Sequence, residues 1–181
     1  MNVEIVPELH EPVTIAAGAD TDLFVSPAGS PPRLNAPTLL VEMDGDFLLA
    51  ATVRAELRAT FDAGALLLWR DETAWAKLAL ERSPEGRATV VSVVTRGLSD
   101  DCNSVALPEP EARLRVARLG DECAFHLRSG DRWELIRHFT LGPGRLSAGC
   151  LAQSPTGDGC VAEFSELELS ARTLGDIRGG D

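Results

Sequence analysis

A period of two runs through most of the chain. Phe47, Leu49, Ala51, Val53, Ala55 and Leu57 alternate with Leu48, Ala50, Thr52, Arg54, Glu56 and Arg58. One face of that extended segment is therefore apolar and the other mixed. Cys123, Phe125 and Leu127 alternate with Ala124, His126 and Arg128 in the same way. Further β-rich runs fall near residues 13–16, 23–26, 38–43, 64–70, 74–82, 88–96, 113–119, 133–141, 146–154 and 160–169. Turn chemistry separates them at Asp44-Gly45-Asp46, Pro84-Glu85-Gly86, Ser129-Gly130-Asp131, Gly142-Pro143-Gly144 and Gly157-Asp158-Gly159. About a dozen short strands at intervals of about ten residues predict an all-β fold, a two-sheet antiparallel β-sandwich or jelly roll. Residues 53–61 hold helix-friendly side chains, but their alternation and the Asp-Gly turn before them predict strand. Pro27 to Pro37 reads as a Pro-rich loop inside the domain, and no linker divides the chain. Residues 1–170 are expected to form one domain. Residues 171–181, rich in Gly and Asp and without apolar periodicity, are expected to form a flexible tail.

Composition narrows the function classes. The 181 residues suffice for a sizeable core. A net charge of −11, with no basic stripe, argues against nucleic acid and anionic membranes as partners. The start, Met1-Asn2-Val3-Glu4-Ile5-Val6-Pro7, lacks the cationic and apolar regions of a signal peptide, and no run of about eighteen apolar residues occurs. A cytoplasmic location is the resulting expectation. Cys102, Cys123, Cys150 and Cys160 have neither C-x-x-C spacing nor a His at zinc-finger distance, so packed thiols are expected. Cys150 and Cys160 flank the turn at Ser154 to Gly157, where a hairpin would let them face each other, and whether they pair is open. Sixteen Arg accompany one Lys, Lys77, a hint that a compact ammonium is wanted there.

Several segments occur together in a recognisable order. Gly64 leads to Trp75-Ala76-Lys77-Leu78-Ala79-Leu80-Glu81, a "G…W-x-K-x-x-x-E" pattern. Ser92 to Asp100 follows, then Trp133 to Arg137, Gly149, Ser154-Pro155 and Phe164. Over about residues 20–170 this order resembles the regulation-of-enolase-type domains of unknown function, within the concanavalin A-like lectin/glucanase superfamily. The resemblance implies a concanavalin A-like jelly roll whose concave sheet face holds saccharides in superfamily relatives. It implies no established reaction. The chain departs from the pattern where Asp101, Cys102 and Asn103 stand in place of the expected Trp and Ser, and where Leu80 replaces a Gly.

Alternation places Trp75, Lys77, Ala79 and Glu81 on one face of their strand, opposite Ala76, Leu78 and Leu80. The next strand is expected to add Ser92 and Arg96 beside them. An indole plate ringed by charged hydrogen-bonding groups suits a saccharide cleft. The expected ligand-binding set is Trp75 as platform, Lys77 and Glu81 as polar anchors, and Arg96 and Arg137 in support. Lys77→Ala is expected to remove binding with little change in stability. Trp133 and Arg137 are expected to share a face with Leu135 and Phe139; Arg137 then needs a carboxylate or carbonyl partner, or an opening toward the concave side. Glu163, Glu166 and Glu168 do not meet the glucanase spacing of acids and read as the acidic outer face of a late strand, with a phase shift implied by Phe164 and Leu167. His126 and His138 fall near each other across a hairpin, with Glu134 near, and read as surface histidines; His10 has no visible partner. No catalytic residue, cofactor or metal site is assigned. The expected function is a non-catalytic domain that binds a carbohydrate or small polar metabolite. The alternatives are a regulatory domain docking a metabolic enzyme and an unrecognised glycoside-processing enzyme.

Overall fold

The computed structural model describes residues 3–6, 8, 9, 12–172 and 174–180. His10 lies outside them. Alternating apolar side chains cannot all be buried in one extended strand, so strands must pair and then stack. The strands are β1 (Val3–Ile5), β2 (Val13–Gly18), β3 (Leu23–Phe24), β4 (Arg33–Leu34), β5 (Thr38–Met43), β6 (Phe47–Ala55), β7 (Ala63–Asp71) and β8 (Ala74–Arg82). They continue with β9 (Ala88–Arg96), β10 (Leu98–Leu107), β11 (Glu111–Leu119), β12 (Glu122–Ser129), β13 (Arg132–Phe139), β14 (Leu146–Gln153) and β15 (Gly159–Ser170). One sheet runs β1-β5-β14-β7-β8-β9-β10 and a second runs β13-β12-β11-β6-β15-β2. Pairing is antiparallel except between β1 and β5. The β-sandwich read from periodicity is the fold. No helix long and apolar enough to cross a membrane occurs among the described residues.

The main core lies between the sheets. Leu49, Val53, Leu114, Val116, Phe125 and Phe164 of the six-stranded sheet meet Leu66, Leu68, Leu78, Leu80, Val90 and Val94 of the seven-stranded sheet. The β6 alternation is realised as read. The acidic β15 also behaves as read: a bulge between Ser165 and Glu168 shifts its phase, and the exposed Glu168 pairs with Arg113 at 2.9 Å.

A second core lies on the outer face of the seven-stranded sheet. Strands β7 and β8 are buried on both faces and so read as nearly continuous apolar runs. Residues 19–37, including the β3–β4 hairpin, fold over that face. Leu23, Val25 and Ala36 pack there with Leu67, Trp75, Ala79, Val91, Val93 and Leu151. Paired bonds pin the cover: Val25 N donates to Ser99 Oγ at 2.9 Å, and Ser99 N to Val25 O at 2.8 Å.

Three sequence readings change. The turn at Ser154 to Gly157 carries the chain from one sheet to the other, so it is no hairpin. Cys150 and Cys160 therefore lie in different sheets, both buried as free thiols. A bulge in β13, opposite Phe125 and His126, divides its phase: Trp133 and Leu135 face outward, while Arg137 and Phe139 face the main core. The last segment carries no periodic pattern, yet Leu174 and Ile177 are buried against Ala117 and Ala124. Arg115 donates to Gly180 O at 2.6 Å.

Candidate functional site

The covering segment leaves one small gap over the outer face. A cavity of about 190 Å³ lies between the cover and strands β8, β9 and β10, at the edge of the second core. Lys77 and Glu81 project into it from β8, Val91 and Val93 from β9, and Asp101 from β10. Asp22 and Phe24 enter from the cover, Gln153 from β14, and Phe61 from the loop between β6 and β7. The register explains the grouping: Lys77 sits beside Val93, which sits beside Asp101, so the three share one row of one face.

Lys77 is 1% exposed. Its ammonium donates to Leu23 O at 2.8 Å and to Gln153 Oε1 at 2.6 Å, with Asp22 Oδ1 at 3.7 Å. A buried ammonium is costly unless it is hydrogen-bonded and paired, and these contacts supply both. The side chain also ties the cover to β14. Glu81, 8% exposed, makes no hydrogen bond or ion pair among the described residues. Burial raises its carboxyl to about pKa 7; Lys77 opposes the rise, and Asp22 and Asp101 add to it.

The mouth is built by the loop of residues 56–62. Asp62 is fully buried. Its carboxylate accepts from Arg58 N at 3.0 Å, Ala59 N at 2.7 Å and Ser154 Oγ at 2.7 Å. Phe61 N donates to Arg82 O at 2.8 Å, and Phe61 O accepts from Gln153 Nε2 at 3.1 Å. These bonds hold Phe61 at φ 69°, a left-handed conformation that is strained for a bulky residue. Its ring stays 39% exposed at the cavity rim.

Two expected residues, Lys77 and Glu81, stand together at the cavity; three do not. Trp75 shares their strand face but is fully buried under the cover, with no hydrogen-bond partner for its Nε1 among the described residues, so no ligand can stack on it. The register of β8 with β9 pairs Trp75 with Thr95 and Lys77 with Val93. Arg96 and Ser92 consequently fall on the opposite side of the sheet. Arg137 bridges the two sheets, bonding Asp100 through its carboxylate and its carbonyl, both at 3.1 Å, and is far from the cavity face. His126 is fully buried, bonded at 2.9 Å to Ile177 O, rather than lying on the surface. His138 meets Glu122 at 2.7 Å, not Glu134.

The sequence reading missed Asp22, Phe24, Phe61, Asp101 and Gln153. Four of them come from other strands or loops, where no spacing signal exists. Asp101 carried a signal of its own, since it stands where the resemblance leads one to expect Trp.

A family described as "Protein of unknown function (DUF1349)" matches residues 4–172. No curated protein matches the chain. Among solved structures, a functionally unknown protein from Saccharomyces cerevisiae is similar at a TM-score of 0.82 and 23% identity, over 94% of this chain and 96% of that one. A GH43 protein from Bacillus licheniformis is similar at 0.67 and 12% identity, over 89% of this chain. A xylan β-1,4-xylosidase from Bacillus halodurans is similar at 0.67 and 11% identity, over 87% of this chain. The chain spans 33% and 32% of the length of those two enzymes. These likenesses concern the fold.

Proposed function

For this chain, which belongs to the DUF1349 family of proteins of unknown function, we propose a non-catalytic domain that binds a carbohydrate or small polar metabolite in the cavity beside Lys77 and Glu81. One observation carries the reading: Glu81 is nine-tenths buried yet leaves its carboxyl unbonded toward that cavity. Nearly every buried polar group has a hydrogen-bond partner, so an open acceptor at a cavity marks a place for a ligand hydroxyl or N–H. Phe24 and Phe61 supply apolar walls for the carbon face of a sugar ring. At about 190 Å³ the space is smaller than the roughly 300–1,000 Å³ of clefts that enclose drug-sized molecules, which fits a single ring. Lys77 acts as a positioning residue, holding Gln153 and the cover in place.

Fold likeness to domains within GH43 proteins agrees with a carbohydrate ligand without specifying one. The test separates binding from folding by using Phe61→Gly. Glycine accepts φ 69° without strain, so stability should stay within about 1 kcal/mol while the ring contact is lost. Calorimetric titration with neutral monosaccharides should give weaker binding in the variant, by about tenfold. Undiminished affinity would place the ligand elsewhere.

A second reading, glycoside processing, has one observation in its favour: a carboxyl of raised pKa stands beside two further carboxyls, Asp22 and Asp101. Release of nitrophenol from nitrophenyl glycosides, lost in Glu81→Gln, would establish it.

A further inference from the structure

The charge around the cavity is not balanced. Asp22, Glu81 and Asp101 bring three carboxyls against one ammonium, that of Lys77. That ammonium is already engaged by Asp22, Leu23 O and Gln153. Glu81 and Asp101 make no ion pair or hydrogen bond among the described residues. Asp101 is exposed at the mouth, and Glu81 is nine-tenths buried behind it. An unpaired buried carboxylate is costly, and a cationic group entering between these two would offset that cost. Phe24 and Phe61 line the same space, and ring faces attract ammonium groups. A metal ion would need a tighter ligand cluster, and no group of three or more His, Cys, Asp or Glu placed to hold one occurs among the described residues.

We propose that the ligand of this site carries a protonated amine on a hydroxylated body, the chemistry of an amino sugar, with its ammonium between Glu81 and Asp101. The inference rests on the reading of the cavity as a sugar-sized binding site. It adds selection by charge: an amino sugar is preferred over the neutral sugar of the same shape, and an anionic sugar is rejected by the two free carboxylates.

The experiment compares glucosamine, glucose and glucose 6-phosphate by calorimetric titration of the whole chain and of its Glu81→Gln variant near pH 7.5. Glucosamine should bind at least about tenfold more tightly than glucose, and glucose 6-phosphate more weakly than either. Glu81→Gln keeps the shape and removes the charge, so glucosamine should fall to the level of glucose while glucose changes less than about twofold. A second arm needs no variant. Lowering the pH from about 7.5 to about 5.5 protonates Glu81, whereas an amine only becomes more charged, so glucosamine binding should weaken several-fold. Asp22, Lys77 and Asp101 are the charged groups facing Glu81. Equal affinity for glucosamine and glucose, or pH-independent glucosamine binding, would overturn the charge selection while leaving a sugar site in place. Tighter binding of the phosphate would overturn it as well. Failure of all three sugars to bind would remove both this inference and the carbohydrate reading beneath it.

Discussion

Lys77 looks from its sequence position like a surface anchor, yet its ammonium is enclosed. Replacing it by Ala leaves Leu23 O, Gln153 Oε1 and Asp22 without their shared donor. Removing one partner of a buried charged pair costs about 3–5 kcal/mol, so Lys77→Ala should lose stability on the order of 3 kcal/mol in urea unfolding. A loss under about 1 kcal/mol would mean that the cover is held by its other contacts. Glu81 acts in the opposite sense. Its carboxyl is raised from 4.5 to about 7 in the folded chain. Between those values the folded state binds more protons than the unfolded state, and stability falls as pH rises. Each unit of displacement is worth about 1.4 kcal/mol, so the full effect approaches about 3 kcal/mol. Unfolding at about pH 5 and about pH 8 should therefore differ by more in the wild type than in Glu81→Gln, which has no carboxyl to titrate.

Among elements, the bulge in β13 and the segment after β15 act together. The bulge turns Leu135 outward beside His126, and residues 174–180 close over the pair. Burial, aided by the neighbouring Arg115, lowers His126 from 6.5 to about 4. The folded chain therefore holds the ring neutral, while the unfolded chain protonates it below about pH 6.5. This contribution to stability is lost as pH falls from about 6.5 toward about 4. Ile177→Asp should detach the closing segment, and an NMR titration should then find His126 back near its ordinary value. An unmoved midpoint would show that burial comes from the sheet alone. At the same edge of the sandwich, where Arg137 of β13 bonds Asp100, β10 carries Asp100, Asp101 and Asn103 and lacks alternation, so periodicity overlooked it. Charged side chains on an edge strand discourage pairing with another chain. The same polarity that hid the strand from pattern reading brings Asp101 to the cavity.

Over the whole molecule, the partners of a strand are often remote in sequence: β5 pairs with β14, and β6 with β11 and β15. Such pairings depend on tertiary closure and leave no local trace. Among the described residues, twelve of fifteen strands correspond to runs read from the sequence, because side-chain alternation is a property of a strand by itself. The face of β8 that carries Trp75, Lys77, Ala79 and Glu81 was legible in the same way, and with it the neighbourhood of Lys77 and Glu81. What lies above that face was not legible, because the covering segment shows no strong period and is held by contacts across the chain. Burial of Trp75 follows from that cover. The exclusion of Arg96 follows from register, since a slip of one residue sends a side chain to the other face. The exclusion of Arg137 follows from topology, since β13 lies in the six-stranded sheet and the cavity on the outer face of the seven-stranded one. The sequence alone determined the strands, their apolar faces and the sandwich they build, because these depend on near neighbours and the burial of apolar area. Only the tertiary structure decided which polar groups meet at the cavity and which stay unpaired, because those depend on distances between segments far apart in the chain.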